Sequence, residues 1–205
     1  MDKKLKSANI AVIGLGYVGL PLAVEFSKKY SVTGFDIDRT RIDELKNNFD
    51  RTNEITAEVL KRAVGLKLSS SKQDICSSNI YIVTVPTPVD KNNRPDFSPL
   101  KLSSAMIGSI LKKDDLVIYE STVYPGATEE ICVPILEQTS KMKYNKDFFC
   151  GYSPERINPG DRVHKLTNIK KITSGSNKKT ANFVDKLYKS IITVGTFKAS
   201  SIPVA

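Results

Sequence analysis

Apolar residues return along the chain in two rhythms, short unbroken runs and longer stretches in which they recur every three or four positions. Asn9-Ile10-Ala11-Val12-Ile13 is continuous and β-branched, as a strand buried on both faces requires. Behind it Val18, Leu22 and Phe26 recur at helical spacing, with Pro21 admissible in a first turn. Ser31-Val32-Thr33-Gly34-Phe35-Asp36 reads as a second strand, followed by helical stretches over 39–47 and 56–63. Leu66-Lys67-Leu68 is a short third strand, and Ile80-Tyr81-Ile82-Val83-Thr84 a fourth that Pro86 and Pro88 end. A helix over 98–111 leads to a fifth strand, Leu116-Val117-Ile118-Tyr119. The stretch 126–138 is helical through Ile131, Ile135 and Leu136, and Pro134 predicts a kink or split in it. Asp147-Phe148-Phe149-Cys150-Gly151-Tyr152 predicts a sixth strand, Ile172-Thr173 a short one, 177–190 a helix and Ile191-Ile192-Thr193-Val194 a last strand.

Strand and helix patterns that alternate in this way predict an α/β fold of the Rossmann type, a doubly wound, mainly parallel sheet with helices on both faces. At 205 residues, 40% apolar and 26% charged, the chain suits one domain spanning 1–205. No apolar run approaches the roughly 18 residues of a membrane span, and no apolar leader precedes the first strand, so a cytoplasmic protein is expected. Three cysteines without a Cys-x-x-Cys pair and a single histidine exclude a disulfide framework and a Cys/His zinc cage, and no metal is expected. Basic and acidic residues balance over 1–140, so the whole surplus of +9 lies in 141–205. There it is scattered rather than gathered on one helix with aromatics, which speaks against nucleic acid. A solvated face, an anionic small ligand or an acidic partner surface stay open.

The chemistry begins with Gly14-Leu15-Gly16-Tyr17-Val18-Gly19, directly after the first strand and opening the first helix. In this spacing Gly14 serves the tight turn, Gly16 the approach of a pyrophosphate to the backbone, and Gly19 the close packing of helix on strand. The helix N-terminus offers N–H groups and a positive dipole end to the phosphates. Asp36 ends the second strand, where a carboxylate takes two ribose hydroxyls and repels a 2′-phosphate, which favours NAD over NADP. Arg41 either serves a 2′-phosphate, stacks on adenine, or pairs with Asp36 or Asp38. Three further loops fall at carboxyl ends of strands, where open α/β sheets bind ligands: Val85-Pro86-Thr87-Pro88, Glu120-Ser121-Thr122-Val123-Tyr124-Pro125-Gly126, and Tyr152-Ser153-Pro154-Glu155-Arg156-Ile157-Asn158-Pro159-Gly160.

Together these segments resemble the nucleotide-sugar 6-dehydrogenases of the UDP-glucose/GDP-mannose dehydrogenase type, from Ile10 to Ala205. The resemblance implies oxidation of a sugar C6 alcohol to a carboxylate, with two NAD reduced per turnover. It implies that Tyr17, Val18, Asp36, Arg41, Thr87 and Thr122 contact NAD. Glu155 would take part in acid–base work beside the reacting carbon, with the Thr122 loop organising the relay, and Arg156 and Ile157 would touch the UDP-sugar. Pro159 stands where enzymes for UDP-glucose commonly carry a second glutamate. That departure is more similar to the branch acting on UDP-N-acetylhexosamines in capsule or O-antigen synthesis.

The family's thioester cysteine in a Gly-Gly-x-Cys setting, and a lysine and asparagine on a long central helix, have no counterpart here. The resemblance therefore implies the N-terminal cofactor part of a longer enzyme, inactive alone, whose parent dimerises through that helix. Cys150 reads as core and His164 as a surface or interdomain residue. A non-catalytic nucleotide-binding module and a β-hydroxyacid dehydrogenase remain the alternatives.

Overall fold

A computed structural model describes residues 5, 7–89, 91–92, 94–156 and 166–205. Its frame is one eight-stranded sheet in the order β3-β2-β1-β4-β5-β6-β7-β8. The strands are β1 (Asn9–Ile13), β2 (Ser31–Phe35), β3 (Leu66–Ser69), β4 (Ile80–Val83), β5 (Leu116–Tyr119), β6 (Phe149–Tyr152), β7 (Lys171–Gly175) and β8 (Thr196–Lys198). All neighbours pair in parallel except β6 and β7. The order reverses between β1 and β4, where a doubly wound sheet opens a crevice at the carboxyl ends of its strands.

The continuous apolar runs are explained by cover on both faces. Ile10, Val12, Ile80, Ile82, Leu116 and Ile118 join one core with α1 (Gly19–Ser27), α2 (Arg39–Lys46), α3 (Ala57–Arg62) and α6 (Lys178–Lys189). Their chain neighbours Ala11, Ile13, Tyr81, Val83, Val117 and Tyr119 point the other way, into a second core under α4 (Ser98–Gly108) and α5 (Val133–Ser140). Side-chain oxygens begin three of these helices: Asp38 accepts from the Thr40 amide, Thr56 from Val59 and Asn177 from Thr180. Helix α1 has no side-chain cap.

The division expected at Pro134 is present: a π-helical turn over Thr128–Cys132 gives way to α5, whose first turn holds Pro134 where no intrahelical donor is needed. Two other expectations are corrected. Ile191-Ile192-Thr193-Val194 is not a strand. Ile191 and Ile192 are buried in the core at the end of α6, and the strand follows Gly195, which turns at φ 85°. The short strand at Ile172-Thr173 extends over five residues as β7. Among the described residues, no helix is long and apolar enough to cross a membrane.

Candidate functional site

The glycine loop closes on itself through contacts that leave no room for side chains on its inner side. Gly14 has φ 93°, and its amide donates to the Phe35 carbonyl at 2.8 Å. A Cβ on Gly19 would lie 1.9 Å from the Gly14 carbonyl oxygen, so the start of α1 packs directly on the end of β1. A Cβ on Gly16 would meet nothing within 4 Å, which leaves that backbone open toward the cleft. Asp36 lies opposite: Oδ2 accepts from the Leu15 amide at 2.8 Å and Oδ1 from the Asp38 amide at 3.0 Å. Its carboxylate thus orders the loop as well as facing the cleft.

Arg41 occupies a position that spacing alone did not indicate. It is 3% exposed, and pairs with neither Asp36 nor Asp38. Its Nε donates to the Leu15 carbonyl at 2.9 Å, and its Nη2 reaches Asp50 at 2.6 Å. Asp50 also accepts from the amides of Thr52, Glu54 and Ile55. Burial pushes the Asp50 carboxyl up, but hydrogen bonds from Thr52, Ile55 and Arg41 outweigh it and hold the group below its ordinary range. Arg51 is the residue that pairs with Asp38, at 3.2 Å, and with Glu44, at 2.5 Å.

The carboxyl ends of β1, β2, β4, β5 and β6 enclose a cleft of about 1110 Å³. Gly14, Gly16, Tyr17, Val18 and Asp36 line one part, and Thr87, Thr122 and Glu155 line it as well. Two hydrogen bonds tie the loops together there: Thr87 Oγ1 donates to the Thr122 carbonyl at 2.7 Å, and Ser121 Oγ to the Val85 carbonyl at 2.6 Å. Gly19 and Arg41 support the loop from behind. Arg156 is exposed next to Glu155 and donates its amide to Glu155 Oε1 at 2.6 Å. Ile157, Pro159 and His164 lie outside the described residues.

One participant escaped the sequence reading. Lys171 is 1% exposed, and its Nζ lies 2.6 Å from Glu120 Oε2 and 3.3 Å from Glu155 Oε2. Because β7 runs antiparallel to β6, its first residue lies at the edge where β6 ends. A lysine directly before the expected strand at Ile172-Thr173 was the available signal, but only the strand's direction brings it to the cleft. Burial pushes the Glu120 carboxyl up and Glu155 adds to this, while Lys171 opposes both. Cys132 and Cys150 are buried; burial pushes the Cys132 thiol up to about 11 and the Cys150 thiol well above its ordinary value. Neither offers a thiolate nucleophile. Among the described residues, no group of three His, Cys, Asp or Glu side chains could hold a metal ion.

These features fit a dinucleotide. The cleft exceeds the roughly 300–1,000 Å³ usual for one small ligand, the Gly16 backbone is bare on the ligand side, and a carboxylate stands at the end of β2. Comparison with known proteins agrees. The UDP-N-acetyl-D-glucosamine 6-dehydrogenase of Pseudomonas aeruginosa is 58% identical over 201 residues, 98% of this chain and 48% of that protein. Protein CapL of Staphylococcus aureus is 53% identical over 96% of this chain and 46% of its own. A solved UDP-D-ManNAc dehydrogenase from Pyrococcus horikoshii superposes with a TM-score of 0.87 at 32% identity, covering 96% of this chain and 48% of that one. The chain thus spans about half the length of the curated relatives it matches. Residues 8–192 match the model of the UDP-glucose/GDP-mannose dehydrogenase family, NAD binding domain, and the chain belongs to that family.

Proposed function

We propose that this chain is the NAD-binding part of a nucleotide-sugar dehydrogenase that oxidises the C6 alcohol of a UDP-N-acetylhexosamine to the carboxylate, in capsule or O-antigen synthesis. The observation that carries the reading is that Glu155 opens onto the same cleft as the glycine loop and Asp36. The names of the relatives, UDP-N-acetyl-D-glucosamine 6-dehydrogenase and protein CapL, support the substrate class.

NAD, when bound, supplies a hydride acceptor. The chain's residues do the rest. The Gly14–Gly19 loop and the N-terminus of α1 receive the pyrophosphate, and Asp36 takes the ribose hydroxyls while keeping Leu15 in place. Tyr17, Val18, Thr87 and Thr122 border the bound dinucleotide. In the first oxidation the C6–H bond breaks with its electron pair leaving as hydride, the hydroxyl proton passes to Glu155 directly or through a water, and a C=O bond forms. The aldehyde then takes up the oxygen of one water, loses a second hydride, for which a second NAD would be the acceptor, and releases two protons to solvent, which leaves the carboxylate. Arg156, exposed beside Glu155, is suited to the diphosphate of the sugar nucleotide, with Ile157 next to it. The cysteine and lysine of the second oxidation, and the helix through which the parent would dimerise, belong to the remainder of such an enzyme.

The test is NADH formation by the full-length gene product with UDP-N-acetylglucosamine and UDP-N-acetylmannosamine. The reading expects two NADH per sugar with one of them, and a loss of about 10²–10⁴ in kcat for Glu155→Gln with NAD binding retained. No NADH with either sugar, or a Glu155→Gln variant as fast as wild type, would refute it.

A further inference from the structure

A buried line of polar groups runs from the cleft wall into the core. Glu155, with a side chain 6% exposed, meets Lys171 Nζ at 3.3 Å. Lys171 meets Glu120 at 2.6 Å, and the other oxygen of Glu120 accepts from the Tyr188 hydroxyl on α6. Tyr188 is fully buried, and its ring packs edge-on against Phe26, 5.7 Å between centroids. Among the described residues the line therefore ends in the core and serves as an anchor.

The arrangement exceeds what neutralising one carboxylate needs. An ammonium on a four-carbon stem turns freely unless something fixes it. Here Glu120 holds Nζ from behind and is itself held by Tyr188, whose phenol burial keeps well above its ordinary pKa and so protonated as a donor. The backbone is fixed too: Lys171 pairs with Thr196 of β8, and Ser153 Oγ donates to the Ile172 carbonyl at 2.6 Å, fastening the Glu155 loop to β7. The ionisable groups facing the Glu155 carboxylate in this line are Lys171 from β7, Glu120 from β5 and Tyr188 from α6.

We propose that Lys171 is a positioning residue for proton transfer: it fixes the Glu155 carboxylate against the cleft wall, and Glu120 with Tyr188 fixes Lys171. This rests on the reading of Glu155 as the acid–base group.

The experiment compares kcat, its pH profile and KM for NAD in the full-length protein. Lys171→Met should lower kcat by about 10- to 100-fold, the range expected when a catalytic group is displaced. It should also move the acid limb of the profile to higher pH and leave KM for NAD within about twofold. Lys171→Arg should recover most of the loss. Since Lys171→Met strands two buried carboxylates, the double variant Lys171→Met/Glu120→Gln decides the matter if the single one unfolds: it removes one charge of each sign, so it should fold and still show the low kcat. Wild-type kcat in the double variant, with Glu155→Gln impaired, would overturn the role of Lys171 alone. A Glu155→Gln variant with wild-type kcat would instead overturn the reading beneath it, and the proposal with it.

Discussion

Arg41 donates its Nε–H to the carbonyl oxygen of Leu15 at 2.9 Å, holding the glycine loop from below, while Asp36 accepts from the Leu15 amide at 2.8 Å on the other side. One residue of the loop is thus gripped at both ends of its backbone, by groups 21 and 26 positions away. A loop held so firmly would lose little entropy on receiving the pyrophosphate proposed for it.

The grip on Leu15 depends on Asp50. Asp50→Ala removes the nearer and more buried counter-charge of Arg41, at 2.6 Å, and leaves only Glu44 at 3.8 Å; breaking a buried pair costs about 3–5 kcal/mol. Denaturant unfolding should show that loss, and calorimetry should show weaker NAD binding in whatever fraction stays folded.

Acid should act through the same carboxylate. Asp50 lies below its ordinary range, and so does Asp185, where burial is outweighed by hydrogen bonds from Lys189 and Thr196. Both carboxyls bind protons less readily folded than unfolded. Their stabilisation is therefore complete above the unfolded value of about 3.9 and is lost as pH falls through the folded values. Glu120 has the opposite sign: its raised folded value makes stability decline as pH rises from about 4.3 through that value. Thermal melts should fall steeply below about pH 4, and Asp50→Asn should flatten that fall.

Gly16 and Gly19 should part company when each is changed to alanine. The Gly16→Ala methyl projects into open space, so the variant should melt near the wild type yet bind NAD at least about tenfold more weakly, a loss of about 1.4 kcal/mol. The Gly19→Ala methyl would fall 1.9 Å from the Gly14 carbonyl oxygen. That variant should be severely destabilised. Equal melting temperatures for the two would contradict the packing described here.

The parallel sheet was readable because a strand covered on both faces must be apolar throughout, as Ile10 to Ile13 and Ile80 to Val83 are. The turn at Gly14, the close packing at Gly19 and the place of Asp36 after β2 were readable because a strand that turns directly into a helix constrains the spacing of its glycines. Ile191 and Ile192 misled because an apolar pair closing a helix end looks like a strand start, and only Gly195 and the pairing of Lys171 with Thr196 reveal where β8 begins. Arg41 and Lys171 were not readable in these roles. A buried cation takes its meaning from partners distant in the chain, Leu15 for the first and Glu120 for the second.

Asp36→Ala should weaken NAD binding about ten- to a hundredfold, since a hydrogen bond to a charged group is worth about 1.5–3 kcal/mol. The Leu15 amide loses its acceptor at the same time. The variant should therefore gain little affinity for NADP, and titration with both cofactors checks this.

The central claim, that Asp36 and the glycine loop form an NAD site, is tested most directly by calorimetric titration of the wild-type chain with NAD and with NADP. The account predicts NAD bound at least about tenfold more tightly, or about 1.4 kcal/mol, because the Asp36 carboxylate opposes a 2′-phosphate. Equal affinity for the two, or no binding of either, would contradict it.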